Sequence, residues 1–140
     1  QRKTQSSDSK AIADSYNSLG VSYHGKGEFT EGLSNFEKAL KIYQKVNGEK
    51  SKETSVCYNN IGGSYSLLND HNKALEYKLK ALGIKLTLNG EENEEVAWSY
   101  DNIGIEYSEL GQNENALNFK EKVSKILNSG FGNSKEDIRR

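Results

Sequence analysis

The sequence predicts an all-α fold: a right-handed α-solenoid of three tandem helix-turn-helix hairpins. The first observation is a repeat, because YNSLGVSY at residues 16–23 returns as YNNIGGSY at 58–65 and as YDNIGIEY at 100–107, each time 42 residues later. The second is that the apolar residues within each copy recur with helical spacing, not with the alternation of a strand. A regular period of about 20–50 residues is typical of solenoids, whose hairpins bury their apolar faces against one another.

The 42-residue period divides the chain into repeats at about residues 9–50, 51–92 and 93–133. Residues 134–140 follow in the phase of a truncated fourth repeat, so we expect one solenoid domain over residues 1–140. Seven columns of the alignment hold the same residue in all three copies: Tyr16/Tyr58/Tyr100, Gly20/Gly62/Gly104, Tyr23/Tyr65/Tyr107, Leu33/Leu75/Leu117, Lys38/Lys80/Lys122, Ile42/Ile84/Ile126 and Gly48/Gly90/Gly132.

The first helix of each hairpin is predicted from an apolar stripe. In the first copy the stripe falls at positions i, i+3, i+4 and i+7, on Tyr16, Leu19, Gly20 and Tyr23. Side chains with that spacing share one face of a helix. Ser9, Ser51 and Asn93 are residue types that favour the N-cap position, and we expect a first helix to begin at each of them.

The second helix of each hairpin follows a turn at Gly27, Asn69 or Gly111, residue types that tolerate left-handed backbone. Its apolar residues in the first copy again have helical spacing: Leu33, Phe36, Ala39, Leu40 and Tyr43. We expect this helix to stop before Gly48, Gly90 and Gly132. Small residues pair between the two helices and predict close crossings: Gly20 with Gly32, Gly62 with Ala74, and Gly104 with Ala116.

These residues resemble the tetratricopeptide repeat. The run Tyr16-x2-Leu19-Gly20-x2-Tyr23, followed by Gly32, Phe36 and Ala39, is similar to that family's pattern of aromatic, Leu, Gly and Tyr, and then Ala, Phe and Ala. The 42-residue period resembles the kinesin light chain type more specifically, and the resemblance covers about residues 9–132. The second-helix aromatic departs from the pattern, because Lys78 and Lys120 hold its place while Tyr77 and Phe119 stand one position earlier.

The resemblance implies a concave groove, lined by the first helices, that binds a peptide or a helical segment of a partner protein. The stripe next to the packing face gives these predicted groove residues: Asp14, Asn17, Val21, His24, Val56, Asn59, Ser66, Trp98, Asp101 and Ile105, with Asn60 and Asn102 beside them. Asparagine amides offer donors and an acceptor that match a peptide unit, and the apolar residues would contact its side chains. Alternatively, the asparagines are only solvated surface residues, and Trp98 is a packing residue, not a recognition anchor.

The composition and the remaining side chains predict a protein that is not an enzyme and has no cofactor and no metal. A net charge of −1 gives no reason to bind nucleic acid or an anionic membrane. His24 and His71 occupy unrelated repeat positions, so we expect surface histidines, and Cys57 shares a column of small packing residues with Ser15 and Ser99. The groove stripe also lacks the cations with which some tetratricopeptide modules grip chaperone tails. We expect a soluble, cytoplasmic protein.

Two other functions stay open: a regulatory segment of a larger signalling enzyme, and a structural, self-assembling array. The sequence contains no methionine, even at residue 1, which suggests a segment of a longer chain. A missing fourth hairpin would leave the last helix partly exposed at Leu117, Val123, Ile126 and Leu127. We therefore expect this end to associate with another copy or with the remainder of the parent chain.

Overall fold

The computed structural model describes residues 2–131, with side chains described for residues 8–129. Its elements, in chain order, are α1 (Arg2–Gly25), α2 (Phe29–Asn47), α3 (Lys52–Leu67), α4 (His71–Asn89), α5 (Glu94–Glu109), α6 (Asn113–Ile126) and a π-helical turn (Leu127–Phe131). Each helix packs mainly against its neighbours in sequence, both within a hairpin and between hairpins. This open series confirms the predicted all-α solenoid. No helix within residues 2–131 has the length and apolar character needed to cross a membrane.

The turns between the paired helices have the predicted left-handed backbone. The φ angle is +82° at Gly27, +65° at Asn69 and +75° at Gly111. In each turn the next backbone N–H donates to the carbonyl oxygen of a first-helix tyrosine: Glu28 to Tyr23 at 2.9 Å, Asp70 to Tyr65 at 2.8 Å, and Gln112 to Tyr107 at 2.8 Å. These bonds satisfy carbonyl groups that a helix end would otherwise leave unpaired.

The predicted helix starts are confirmed at two of three positions. The Ser51 hydroxyl accepts a hydrogen bond from the Thr54 N–H, and the Asn93 side chain accepts one from the Glu95 N–H. The prediction at Ser9 is wrong, because α1 begins at Arg2 and runs through it. A left-handed glycine stands before Ser51 and before Asn93, whereas neither glycine nor proline precedes Ser9. The helices α2 and α4 end before Gly48 and Gly90 as expected, and Gly132 lies outside the described residues.

The helices of the first two hairpins cross closely at the predicted glycines. A Cβ atom added at Gly62 would lie 2.8 Å from Cγ of Lys78 and 3.1 Å from the Ala74 carbonyl oxygen. Gly32 approaches the first helix in the same way, since its added Cβ would lie 3.0 Å from the carbonyl oxygen of Gly20. The third hairpin is looser, because the added Cβ of Gly104 would be an ordinary 3.5 Å from the nearest carbonyl oxygen.

Two of the identical columns contact each other inside every hairpin. The Nζ atom of Lys38 lies 5.5 Å from the centroid of the Tyr16 ring. The corresponding distances are 5.6 Å for Lys80 and Tyr58 and 5.7 Å for Lys122 and Tyr100. Each pair is a cation–π contact, worth about 0.5–1 kcal/mol at exposed sites. The repeated contact gives a physical reason for the invariance of both columns.

The one-place shift of the second-helix aromatic also has a structural consequence. The Tyr77 ring stacks on Tyr65 at 5.6 Å, and Phe119 stacks on Tyr107 at 5.5 Å. Each ring thus contacts a tyrosine of its own hairpin, and each also packs against a core cluster shared with the preceding hairpin. Phe36, in the regular position, lies inside such a cluster with Leu33 and Ile61, between the first and second hairpins. In the second hairpin, Lys78 takes the regular position and is buried.

The two ends of the solenoid expose side chains that are buried elsewhere. Ile61 and Ile103 are fully buried, whereas Leu19, in the same column, is exposed because no hairpin precedes α1 among the described residues. At the other end, Leu117 is 58% exposed and Leu127 is 45% exposed. The expectation for Ile126 is wrong, because this residue is buried in a cluster with Val96, Ala97 and Tyr100. Val123 is half-buried against the same cluster.

Candidate functional site

All the predicted groove residues lie on α1, α3 and α5, and none of their side chains is buried. We name the surface that they form the groove face: Asp14, Asn17, Val21, His24, Val56, Asn59, Asn60, Ser66, Trp98, Asp101, Asn102 and Ile105. Its four apolar members remain between 38% and 57% exposed. Helices that pack the core on one side therefore carry solvent-exposed apolar side chains on the groove face.

The asparagines of the groove face divide into two groups. Asn60 donates from Nδ2 to Oδ1 of Asn17 at 3.1 Å, which links the first hairpin to the second. Asn102 accepts a hydrogen bond from Nζ of Lys78 at 3.0 Å. Asn59 makes no side-chain hydrogen bond within the described part of the chain. Each bonded amide uses only one of its polar atoms here, and its other atom is not engaged by a described residue.

Three other members of the groove face hydrogen-bond to neighbouring helices. Asp14 accepts a hydrogen bond from the Tyr43 hydroxyl, and Ser66 donates to Oε2 of Glu106 at 2.9 Å. The Nε2 atom of His24 lies 2.6 Å from Oγ of Ser64. These contacts give Asp14, His24 and Ser66 a structural role in addition to any contact with a partner.

His24 differs from the expected surface histidine, because its ring is half-buried. The ring packs edge-on against Phe29 and Phe36, with centroid distances of 5.6 Å and 5.0 Å. Burial lowers the pKa of His24 below its ordinary value. The imidazole is therefore part of the packing at the junction of the first two hairpins.

A buried charged cluster lies directly behind the groove face, and the sequence analysis missed it. Glu106 is 1% exposed and accepts a hydrogen bond from Nζ of Lys78 at 2.8 Å. Its other oxygen lies 2.8 Å from Nδ1 of His71. Burial alone would raise the pKa of Glu106, but the hydrogen bonds from Lys78 and His71 outweigh it and hold the pKa below its ordinary value.

The sequence did contain an indication of this cluster. Glu106 stands in the column of Ser22 and Ser64, where small residues would suit a packed junction, and Lys78 stands in the column of Phe36. Two opposite charges replace two uncharged residues in columns that face each other across a junction. That substitution pattern predicts a buried ion pair once the columns are known to meet.

A cleft of about 460 Å³ opens next to the groove face where the second hairpin meets the third, which we call the second junction. Its lining residues come from the beginnings of α3 and α5 and from the end of α4: Lys52, Ser55, Val56, Lys85, Leu88, Asn89, Asn93, Glu94 and Glu95. Beside it, Nζ of Lys85 lies 5.2 Å from the centroid of the Trp98 ring. Burial lowers the pKa of Lys85. Trp98 thus has a packing contact through Lys85 and still exposes 57% of its surface.

The first junction has different residues at the corresponding positions. Tyr43 and Asp14 occupy the columns of Lys85 and Val56, and they hydrogen-bond to each other. Lysine and valine cannot form that bond. The second junction therefore offers an apolar wall and a cation where the first has a closed tyrosine–aspartate pair.

Metal-binding groups and a reactive thiol are two features that the described side chains can be checked for. No group of three or more His, Cys, Asp or Glu residues among them could hold a metal ion. Cys57 is fully buried with Ala13, Ala39 and Tyr43, and burial raises the pKa of its thiol to about 12. The thiol is therefore protonated at neutral pH and packs between hairpins.

Paired helices, left-handed turns and repeated packing between hairpins define a helical repeat protein. The chain belongs to the tetratricopeptide repeat family, whose model matches residues 11–87. Tetratricopeptide repeats generally mediate interactions between proteins. A comparison with curated proteins finds no match.

Several solved structures share the fold. BtubC (BKLC) from P. vanneervenii is 26% identical, with a TM-score of 0.77 over 81% of this chain and 45% of that one. The TPR domain of Arabidopsis FLU is 21% identical, with a TM-score of 0.76 over 86% of this chain and 98% of that one. A Podosopora anserina putative kinesin light chain with nearly identical TPR-like repeats is 18% identical, with a TM-score of 0.73 over 85% of this chain and 56% of that one. The present chain thus spans about half the length of the first and third of these structures. The resemblance to the tetratricopeptide repeat family is confirmed, and the fold is also that of repeats of kinesin light chain type.

Proposed function

We propose that this chain is a protein-interaction scaffold, not an enzyme, and that it binds a peptide or a helical segment of a partner protein on the groove face. The observation that carries the proposal is the exposure of Val21, Val56, Trp98 and Ile105 on helices whose opposite sides form the core. Apolar side chains grouped on one face with polar neighbours mark interaction sites in soluble proteins.

In this proposal the amides and the apolar side chains have separate roles. Asn59, together with the amide atoms of Asn17 that the described residues leave unused, bonds the partner's backbone. Val21 and Ile105 contact its side chains. The cleft beside Trp98 receives one larger side chain, because it joins the groove face at the second junction. Aromatic residues in such positions commonly carry a large share of the binding energy.

The proposed partner is a protein, and neither nucleic acid nor a membrane is part of the proposal. A net charge of −1 provides no long-range attraction for a polyanion. We also propose a cytoplasmic site of action, which the unpaired Cys57 permits.

A peptide selection tests the groove proposal. The probe is a phage-displayed library of random 12-residue peptides, selected on the immobilised chain and followed by amide chemical-shift mapping of one selected peptide. We expect the largest shifts on α1, α3 and α5, including the Trp98 indole. Trp98→Ser with Ile105→Ser should weaken binding by at least about tenfold, because both side chains are exposed contact residues.

Leu79→Ser is the matched control. Leu79 is also an exposed apolar residue, but it lies on α4 and outside the groove face. Equal losses in the control and the groove variant, or shifts confined to α2, α4 and α6, would contradict the proposal. Far-UV circular dichroism of each variant confirms that the helices are intact.

A second candidate function is assembly of the array with itself, and exposed leucines on the first and last described helices favour it. Leu19 on α1 and Leu117 on α6 are exposed at opposite ends of the solenoid. Their equivalents are covered or half-covered by the next helix at the internal junctions. A head-to-tail contact of this kind does not close, so it produces a series of oligomers. Sedimentation velocity over a range of concentrations measures this association directly.

A further inference from the structure

The last helix, α6, exposes a face that α2 and α4 use to hold the next hairpin. We name it the α6 end face: Leu117, Lys120 and Ser124 of α6, together with Leu127 at the start of the π-helical turn. The corresponding residues of α4 are Leu75, Lys78, Leu82 and Lys85, all of which are buried or half-buried. The α6 end face therefore has the register of an internal junction but lacks a helix packed against it among the described residues.

Lys120 follows the same course as Lys78. A Cβ added at Gly62 would contact Cγ of Lys78, and one added at Gly104 would lie 4.0 Å from Cγ of Lys120. The stem of each lysine thus crosses the glycine of its own hairpin. The ammonium groups of the two lysines have different surroundings. That of Lys78 bonds Glu106 of the next hairpin, whereas that of Lys120 forms no ion pair with a described residue.

At the α4–α5 junction, the helix that covers Lys78 carries a particular pattern. Val96, Ser99, Ile103 and Glu106 are all buried on one face of α5. The apolar and small residues pack on the leucines of α4, and the glutamate neutralises the lysine. A lysine covered by a helix without an acid would lose its water without gaining a charged partner, which is unfavourable.

We propose that the α6 end face is a second docking surface, and that it binds an amphipathic helix of a partner polypeptide with an acidic residue three positions after its central apolar residue. Lys120 selects the acid, while Leu117 and Leu127 contact the apolar residues. This surface lies at the end of the solenoid and is separate from the groove face, so the proposal stands or fails independently of the proposed function.

A second copy of this chain fits the α6 end face less well. Its available helix is α1, whose open face carries Ile12, Ser15, Leu19 and Ser22. Ser22 stands in the column of Glu106. The serine would give Lys120 a hydroxyl group in place of a carboxylate. We therefore expect end-to-end self-association to be weaker than binding of an acid-bearing helix.

The probe for the test is a peptide with the sequence of residues 93–110, which spans α5 from its N-cap. A hydrocarbon staple between positions 101 and 105, both exposed on α5, keeps it helical. Fluorescence anisotropy measures its binding to the full chain. We expect saturable binding that weakens by about tenfold or more with Lys120→Glu, because an attraction becomes a repulsion. The peptide with Glu106→Lys should restore binding to the Lys120→Glu chain.

Lys125→Glu is the matched control, since Lys125 is an exposed lysine of α6 outside the end face. Trp98→Ser with Ile105→Ser in the chain should leave peptide binding unchanged, which separates this surface from the groove face. The proposal is overturned if the peptide does not bind, if Lys120→Glu and Lys125→Glu have equal effects, or if the reversed peptide charge does not restore binding. A dependence on Lys78 but not on Lys120 would also overturn it, because the peptide would then be replacing α5.

Discussion

Lys78 and Glu106 join the second hairpin to the third through a buried ion pair. Nζ of Lys78 lies 2.8 Å from Oε2 of Glu106, and both side chains are buried. Ser66, His71 and Asn102 complete the hydrogen bonding of the two groups. Because the pair lies between helices of different hairpins, it is a buried contact that the first junction does not contain.

Removing one partner of this pair should destabilise the protein strongly. We expect Lys78→Met to lower the free energy of unfolding by about 3–5 kcal/mol, because it leaves the Glu106 carboxylate buried without its cation. Adding Glu106→Gln should recover much of that loss, since glutamine still accepts from Ser66 and carries no charge. Urea unfolding followed by circular dichroism measures both variants. A double variant no more stable than Lys78→Met would show that the buried charge is not the cause.

The same cluster makes stability depend on acid pH. The pKa of Glu106 is lowered in the folded state from an ordinary value of 4.5. Its contribution to stability is therefore complete above about pH 4.5 and is lost as the pH falls through the lower, folded-state pKa. We expect Glu106→Gln to flatten the fall in unfolding free energy below that pH. Parallel pH profiles of the variant and the wild type would contradict the assignment.

Adjacent glycines of α3 should respond in opposite directions to alanine. Gly62→Ala places a methyl group 3.1 Å from the Ala74 carbonyl oxygen, and we expect a loss of about 1–3 kcal/mol from overpacking. Gly63→Ala meets no atom within 4 Å, so the higher helix propensity of alanine should stabilise the protein by about 0.5–1 kcal/mol. Thermal unfolding compares the two. Equal effects would argue against the close crossing at Gly62.

An acid on the open face of α1 should strengthen self-association. Ser22→Glu supplies the carboxylate that Glu106 supplies at the internal junction, so we expect sedimentation to show larger species than the wild type forms at equal concentration. Ser34→Glu makes the same charge change at an exposed position of α2 and serves as the control. Lys120→Glu should reverse the effect of Ser22→Glu. Persistence of the larger species in that double variant would exclude the Lys120 contact.

The hairpins could be predicted from the sequence because their causes are local. A helical stripe, a small residue at the crossing and a left-handed residue such as Asn69 at the turn all act within one repeat. The helix start at Ser9 was mispredicted, because an N-cap residue stops a helix only where the preceding backbone breaks. Nothing in residues 2–8 breaks it, and α1 continues through them.

The junctions were harder to predict, because they depend on which columns meet across hairpins. Val21 and Trp98 lie on the first helices and are exposed, but the stripe rule could not show that Ser66 and Asn102 also bond the buried cluster. Lys78 occupies the regular aromatic position because the ring, Tyr77, stands one place earlier. The partner of Lys78 is Glu106, which lies 28 residues further along the chain. Ile126 was mispredicted for the same reason, since it faces α5 and not the open end.

The tyrosine–lysine contact described for each hairpin has a consequence for how such an array evolves. Because Lys38 contacts Tyr16 within one hairpin, a duplicated segment carries both partners with it and keeps the contact intact. The junctions between hairpins differ from each other: Phe36 contacts Ile61 at the first, whereas Lys78 bonds Glu106 at the second. A copied hairpin inserted at another position would keep its tyrosine–lysine contact. Its contacts with the adjacent hairpins would not be complementary. The tyrosine–lysine contact is thus the same in every hairpin, whereas the contacts between hairpins differ from the first junction to the second.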